Sequence, residues 1–241
     1  MNLYNALSEN KKQLAVLIDP DKYDSKSLID AVVVARKAMV SYFLVGGSLL
    51  ERDNLDETIR VIKDNCEIPV IIFPGDVLQI NDQADAILLL SLISGRNPEL
   101  LIGKHVVAAP YLKESGLEIL PTGYMLIDSG RQTTASYMSN SLPIPANKDG
   151  IAVSTAMAGE MLGLKLIYMD GGSGAMNPIS LSMIESVKSA ISVPLIIGGG
   201  ITTPEAASER FKAGADVIVV GNAIETENSL IARMAEVVFS F

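Results

Sequence analysis

Cysteine is almost absent: Cys66 stands alone, so no intrachain disulfide can form, and it reads as a small buried residue. Histidine is as scarce. His105 sits in an apolar stretch with no metal-ligand partner at a useful spacing, and reads as a packed or capping residue. Positive charge is in deficit, with 19 Lys and Arg against 28 Asp and Glu and a net charge of −9. That argues against nucleic acid, which needs a basic face. An anionic substrate would need local donors or a metal ion, because the global field repels it. Long hydrophobic runs are missing too. The longest, Ala86 to Ile93, is interrupted by Ser91 and falls far short of the ~20 residues of a membrane-spanning helix. Leu14 to Ile18, behind Lys11 and Lys12, is too short for the core of a secretion signal, so the cytoplasm is the expected compartment.

What is present is apolar material in quantity. Hydrophobic residues make up 49% of 241 positions, and Pro and Gly are spread along the chain rather than pooled into a linker. One domain over residues 1–241 is expected, close to the ~250 residues of a single (β/α)8 barrel. Strand-like runs fall at Leu14–Ile18, Tyr42–Val45, Val70–Phe73, Ala86–Leu90, Gly123–Ile127, Leu166–Met169, Leu195–Ile197 and Val217–Val220. Helical periodicity falls at Ser27–Met39, Leu55–Asn65, Pro98–Val107, Lys148–Leu162, Ser180–Ala190, Thr203–Ala213 and from Glu227 onward. Such alternation predicts a parallel sheet with helices outside, closed by right-handed crossovers into a barrel. Two places break the pattern. Only about a dozen residues separate Phe73 from Ala86, so the third helix is expected to be short or absent, leaving a slot in the wall. Ser129 to Pro145 is a long polar loop containing Arg131 and Asn140, and loops of that length usually bind or cover something.

Barrel ligands gather at the C-terminal ends of the strands. Leu195-Ile-Ile-Gly-Gly-Gly-Ile201 and Asp216-Val-Ile-Val-Val-Gly-Asn-Ala223 are apolar runs that stop at glycine before a helix start. Glycines alone could serve only to turn strand into helix. Two such loops, about twenty residues apart after the last two strands, point to a phosphate cradle. Tyr168 and Asp170 alternate along a strand and so face one side, placed just past the strand end at the barrel mouth. Asp170 beside Gly171, Gly172, Ser173 and Gly174 reads as a base or hydroxyl acceptor next to a phosphate; capping the loop is the plainer role. Asp19 and Asp21 are hard oxygen ligands that suit Mg²⁺, or the ends of an Asp-Pro-Asp turn. The cation that an acidic phosphate-binding protein needs favours the metal. Ser48 either adds an oxygen or caps a helix.

Several strings taken together resemble one family. They are Leu17-Ile-Asp-Pro-Asp-Lys22, Val45-Gly-Gly-Ser48, Pro121-Thr-Gly-Tyr-Met-Leu-Ile-Asp128, Leu142-Pro-Ile-Pro-Ala-Asn-Lys148, Tyr168-Met-Asp-Gly-Gly-Ser-Gly-Ala175, Ile197-Gly-Gly-Gly-Ile201 and Val220-Gly-Asn222. In this order, over residues 12–225, they look like the geranylgeranylglyceryl phosphate synthases, most of all the second group of that family. The resemblance implies a prenyltransferase on a modified TIM barrel whose third helix gives way to an irregular segment and a lipid groove. It implies sn-glycerol 1-phosphate and geranylgeranyl diphosphate as substrates, and Mg²⁺ held by Asp19 and Ser48 with the diphosphate. Tyr168, Met169, Asp170, Gly171, Gly172, Ser173 and Gly174 would surround the glycerol phosphate, with Asp170 and Tyr168 at the reacting hydroxyl. Gly199, Gly200, Gly221 and Asn222 would bind its phosphate through backbone N–H groups. A homo-oligomer, dimer or hexamer, is expected, as is transient membrane contact when product leaves. The family usually carries glutamate where Asp170 stands, so the carboxylate here is one methylene shorter.

Three other readings compete. A heptaprenyl-type synthase would use a longer chain. A phosphate-binding isomerase or lyase would share the glycine loops, but would not need Asp19-Pro-Asp and would keep its third helix. An inactive binding barrel would have no use for the intact carboxylates.

Overall fold

The computed structural model describes residues 2–9, 11–52 and 54–241. In chain order, α1 (Leu3–Leu7) leads into β1 (Gln13–Ile18), and a 3-10 turn (Pro20–Lys22) precedes α2 (Ser25–Lys37). Then come β2 (Tyr42–Val45), α3 (Leu55–Asn65), β3 (Val70–Ile72) and β4 (Ala86–Leu92). A π-helical turn (Glu99–Gly103) runs into α4 (Lys104–Ser115). They are followed by β5 (Glu118–Leu126), α5 (Thr134–Met138), α6 (Asp149–Met161), β6 (Leu166–Asp170), α7 (Leu181–Ala190) and β7 (Leu195–Gly198). The chain closes with α8 (Pro204–Lys212), β8 (Val217–Val220), α9 (Asn222–Thr226) and α10 (Ser229–Val238). All eight strands pair in parallel with their neighbours, and β8 returns to β1, so the sheet is a closed barrel.

Period-two alternation divides the apolar residues into two cores. One fills the barrel with side chains such as Leu44, Leu88, Tyr124 and Tyr168; the other lies between strands and helices, with Phe43, Ile87, Met169 and Phe211. Leu3 and Leu7 of α1 add to the inner core, and Glu118 at the start of β5 accepts hydrogen bonds from Leu3 N (2.6 Å) and Tyr4 N (2.7 Å). That fixes α1 at the barrel's N-terminal end. Helix starts follow local chemistry. Thr203 caps α8 through Ala206 N (3.2 Å) with Pro204 in the first turn, as its sequence predicts. Asp24 and Ser27 form a reciprocal cap on α2, so that helix begins at Ser25 rather than Ser27.

Residues 73–85, all described, contain no helix. The third helix is absent, as the short spacer predicts. Strand β5 departs most from expectation. It begins at Glu118, not Gly123, because β4 pairs with it from Ala86↔Glu118 to Leu92↔Tyr124 and draws Pro121 and Gly123 into the ladder. The loop after β5 folds back: Ile144 N donates to Leu126 O and Asp128 N to Ile144 O, both at 2.8 Å. Helices α1, α5 and α9 have five residues each, too few for periodicity to show.

Candidate active site

The strand ends β6, β7 and β8 meet in a glycine cradle. Gly172, Gly174, Gly199 and Gly200 all have left-handed φ, between +71° and +85°. Without Cβ atoms the β6 and β7 loops pack backbone to backbone; a Cβ on Gly199 would lie 2.8 Å from Gly172 N. Sequence reasoning expects the N–H groups of Gly171, Gly172 and Gly174 to close on a phosphate. In the structure they serve the loops instead, donating to Gly198 O (3.0 Å), Asp170 Oδ1 (2.7 Å) and Asn222 Oδ1 (3.3 Å). Asn222 also accepts from Ser173 Oγ (3.0 Å), so its side chain ties β8 to the β6 loop. Among the described residues, the N–H groups of Gly199, Gly200 and Gly221 make no such bond and remain to receive an anion. The Arg131 guanidinium lies against Gly174 and brings a cation to the cradle's rim. The long loop that carries it also packs Thr133 onto Gly172.

Tyr168 and Asp170 share the inner side of β6, as alternation predicts, but they lie within the strand rather than past its end. Asp170 is 7% exposed. Its Oδ2 accepts from Tyr124 Oη at 2.5 Å and its Oδ1 from Gly172 N at 2.7 Å. Burial raises its pKa, while these two donors pull it back down. Tyr168 stacks on Phe73, with centroids 5.2 Å apart at 18°, and Tyr124 meets both rings edge-on at 5.5 and 5.8 Å. Burial lifts both phenols well above their ordinary pKa, so both stay neutral. Met169 points the other way, into the core between strands and helices, so its side chain cannot line the mouth.

At the ends of β1 and β2, Asp19 caps the 3-10 turn through Asp21 N (3.1 Å), and its carboxylate faces Gly47 next to Ser48. Asp21 Oδ2 accepts from Glu51 N (2.6 Å), while Asp21 Oδ1 is buried with no partner among the described residues. Burial raises the Asp19 carboxyl, with the Asp21 and Glu51 charges adding to it against the Asp21 N–H. Concentrated negative charge with an orphaned oxygen fits a divalent cation. Among the described residues no three His, Cys, Asp or Glu side chains converge on one point. The donor set therefore fits a Mg²⁺ that takes one or two carboxylates from protein and the rest from substrate phosphates and water.

A cleft of about 800 Å³ starts at Gly47 and Ser48 and continues where the third helix is missing. Most of its wall is apolar, with Leu89 and Ile87 of β4, Ala108 and Leu112 of α4, Val77 and Leu55, while Asp76, Lys104 and His105 add polar groups. That volume is in the range of a ligand pocket, ~300–1,000 Å³. Gln79, 6% exposed, holds the helix-free segment by donating to Gly47 O and accepting from Gly75 N, both 3.1 Å. Sequence reasoning missed Tyr124, Phe73 and Gln79. The only signal for them was position: Tyr124 lies in the quoted β5 string, and the other two lie in the segment that replaces the helix.

The PcrB family model matches residues 6–238. The chain is 54% identical over 240 residues to a geranylgeranylglyceryl phosphate synthase of Chitinophaga pinensis, covering 98% of this chain and 95% of that one. It is 36% identical over 239 residues to the enzyme of that name from Methanosphaera stadtmanae, covering 98% of each. The crystal structure of (S)-3-O-geranylgeranylglyceryl phosphate synthase from Thermoplasma acidophilum with sn-glycerol-1-phosphate superposes with a TM-score of 0.94 at 31% identity, covering all of both chains.

Proposed function

The chain belongs to the PcrB family, and we propose that it joins sn-glycerol 1-phosphate to geranylgeranyl diphosphate, giving geranylgeranylglyceryl phosphate and diphosphate. It is a prenyltransferase. One observation supports this reading above the others: an apolar cleft, an acidic corner and a glycine cradle lie in succession around one barrel mouth. A long hydrocarbon fits the first, a diphosphate with its cation the second, and a phosphate monoester the third.

Each residue then has a task. Gly199, Gly200 and Gly221 offer free N–H groups to the glycerol phosphate, and Arg131 adds charge. Gly171, Gly172, Ser173, Gly174 and Asn222 shape that cradle rather than fill it. Asp19 and Ser48 would hold Mg²⁺, which when bound would offset the negative charge of the diphosphate. The allylic carbon–oxygen bond to diphosphate breaks, the glycerol hydroxyl oxygen forms the new ether bond, and its proton passes to Asp170. Tyr168 backs the reacting groups with a neutral aromatic face that excludes water. The chain also forms a homo-oligomer in our reading, because Ile102, Val106, Val107 and Tyr111 leave the outer face of the π-turn and α4 apolar and exposed.

The deciding experiment incubates the protein and Mg²⁺ with radiolabelled sn-glycerol 1-phosphate and prenyl diphosphates of several lengths. Extraction of label into butanol with the C20 donor supports the proposal. Strict preference for a longer donor replaces the chain length; no extraction with any donor refutes prenyl transfer.

A further inference from the structure

Asp170 does not line the apolar cleft, but Tyr124 does, and Tyr124 donates its hydroxyl to Asp170 Oδ2 at 2.5 Å. The other carboxylate oxygen is occupied by Gly172 N, and the residue is 7% exposed. Of this hydrogen-bonded pair Tyr124 is the member that borders the cleft, so the path from the cleft to the carboxylate runs through it. Ring packing holds Tyr124 there: Phe73 and Tyr168 pin it on two sides, and Leu126 and Leu88 share its core.

We propose that Tyr124 is a catalytic residue that relays the proton of the reacting glycerol hydroxyl to Asp170. As the allylic carbon–oxygen bond breaks and diphosphate departs with its electron pair, the glycerol oxygen bonds to that carbon. Its proton moves to Tyr124 Oη, and the proton Tyr124 held moves to Asp170 Oδ2. Tyr124 ends neutral, as it began, and Asp170 ends protonated and releases its proton to water after product leaves. The phenol's resistance to ionisation suits a relay in which neither transfer leaves a phenolate. The inference rests on the reading of Asp170 as final acceptor.

The test is single-turnover rapid quench with both substrates saturating, on wild type, Tyr124→Phe, Asp170→Asn and the double variant. A parallel series places 3-fluorotyrosine and 3,5-difluorotyrosine at position 124. Tyr124→Phe should slow turnover by about 10²-fold, within the range of general acid–base help, with substrate affinities unchanged. The double variant should be no slower than Asp170→Asn, because the two act as one unit. Fluorination keeps the hydroxyl and the packing but makes the oxygen a poorer proton acceptor and the O–H a stronger donor, so the rate should change stepwise along the series. A merely structural hydroxyl would leave that series flat, and the series also serves if Tyr124→Phe does not fold. A flat series, or Tyr124→Phe within about twofold of wild type while Asp170→Asn is slow, overturns the relay and leaves Asp170 as direct acceptor. If Asp170→Asn is also unimpaired, the acceptor assignment itself fails; if wild type makes no product, the reaction fails.

Discussion

Gly199→Ala tests the cradle with a single methyl group. The residue sits at φ +85°, where an L side chain costs about 1–2 kcal/mol. The new Cβ would stand 2.8 Å from Gly172 N and 2.9 Å from Gly171 N and Cα, all backbone. No side chain can swing away, so one loop must move by a few tenths of an ångström. Overpacking of this kind costs about 1–3 kcal/mol. The sum is about 2–5 kcal/mol, or a fall in Tm of about 5–15 °C for a chain of this size. The same shift misaims the free N–H of Gly199. Losing one hydrogen bond to a charged group costs about 1.5–3 kcal/mol, so affinity for sn-glycerol 1-phosphate should drop by about 10–100-fold. Two controls separate the causes. Gly116 has φ +74° with none of the described residues within 4 Å of its Cβ position, so Gly116→Ala should lose only the conformational cost and bind normally. Gly150, in the first turn of α6, has no positive φ and none of the described residues within 4 Å of a Cβ there, and Gly150→Ala should gain about 0.4–1 kcal/mol. Thermal melts and calorimetric titration with sn-glycerol 1-phosphate read both quantities. Should Gly199→Ala melt like Gly116→Ala and bind like wild type, the backbone cradle is not the phosphate site.

Asp19→Asn should remove most Mg²⁺-dependent turnover and weaken diphosphate binding while sparing glycerol phosphate; full turnover would reject the metal assignment. For Asp170, the base works ionised, so the single-turnover rate should fall as pH drops through a carboxylate pKa raised by burial, above the ordinary ~4. Stability runs the other way. A folded-state pKa above the unfolded one favours the folded protein below the unfolded pKa, and this contribution is lost as pH rises through the folded value. Asp170→Asn should remove the acid limb of the rate profile and the Asp170 contribution to the stability profile, and Asp170→Glu should keep the acid limb with similar or higher activity. Ala108, 6% exposed on the cleft wall, gives room to the tail; Ala108→Phe should depress the C20 donor far more than a C10 donor in competition assays. Light scattering should report an oligomer; a monomer would leave the apolar face of α4 unexplained.

The sequence by itself determined the barrel, because buried parallel strands are continuous apolar runs and each stops at a turn signal before a helix. It determined the missing third helix as well, since a dozen residues between Phe73 and Ala86 leave no room for one. Tyr168 and Asp170 on one side of β6 followed from period-two alternation, and Met169 on the other side follows from the same rule. Strand β5 was obscured because Pro121 and Gly123 signal a break locally, while a ladder of seven pairs with β4 overrides them. Only the tertiary structure could decide how the glycines divide their labour. Gly171, Gly172, Gly174, Gly199 and Gly200 look alike in sequence, yet the first three spend their N–H groups on Gly198, Asp170 and Asn222. Which donors stay free depends on which loops touch. The same holds for Tyr124 and Asp170, 46 residues apart and joined at 2.5 Å. Their contact is set by the β5–β6 register, Tyr124↔Tyr168 and Leu126↔Asp170, and register between distant strands is a property of the closed barrel, not of either segment.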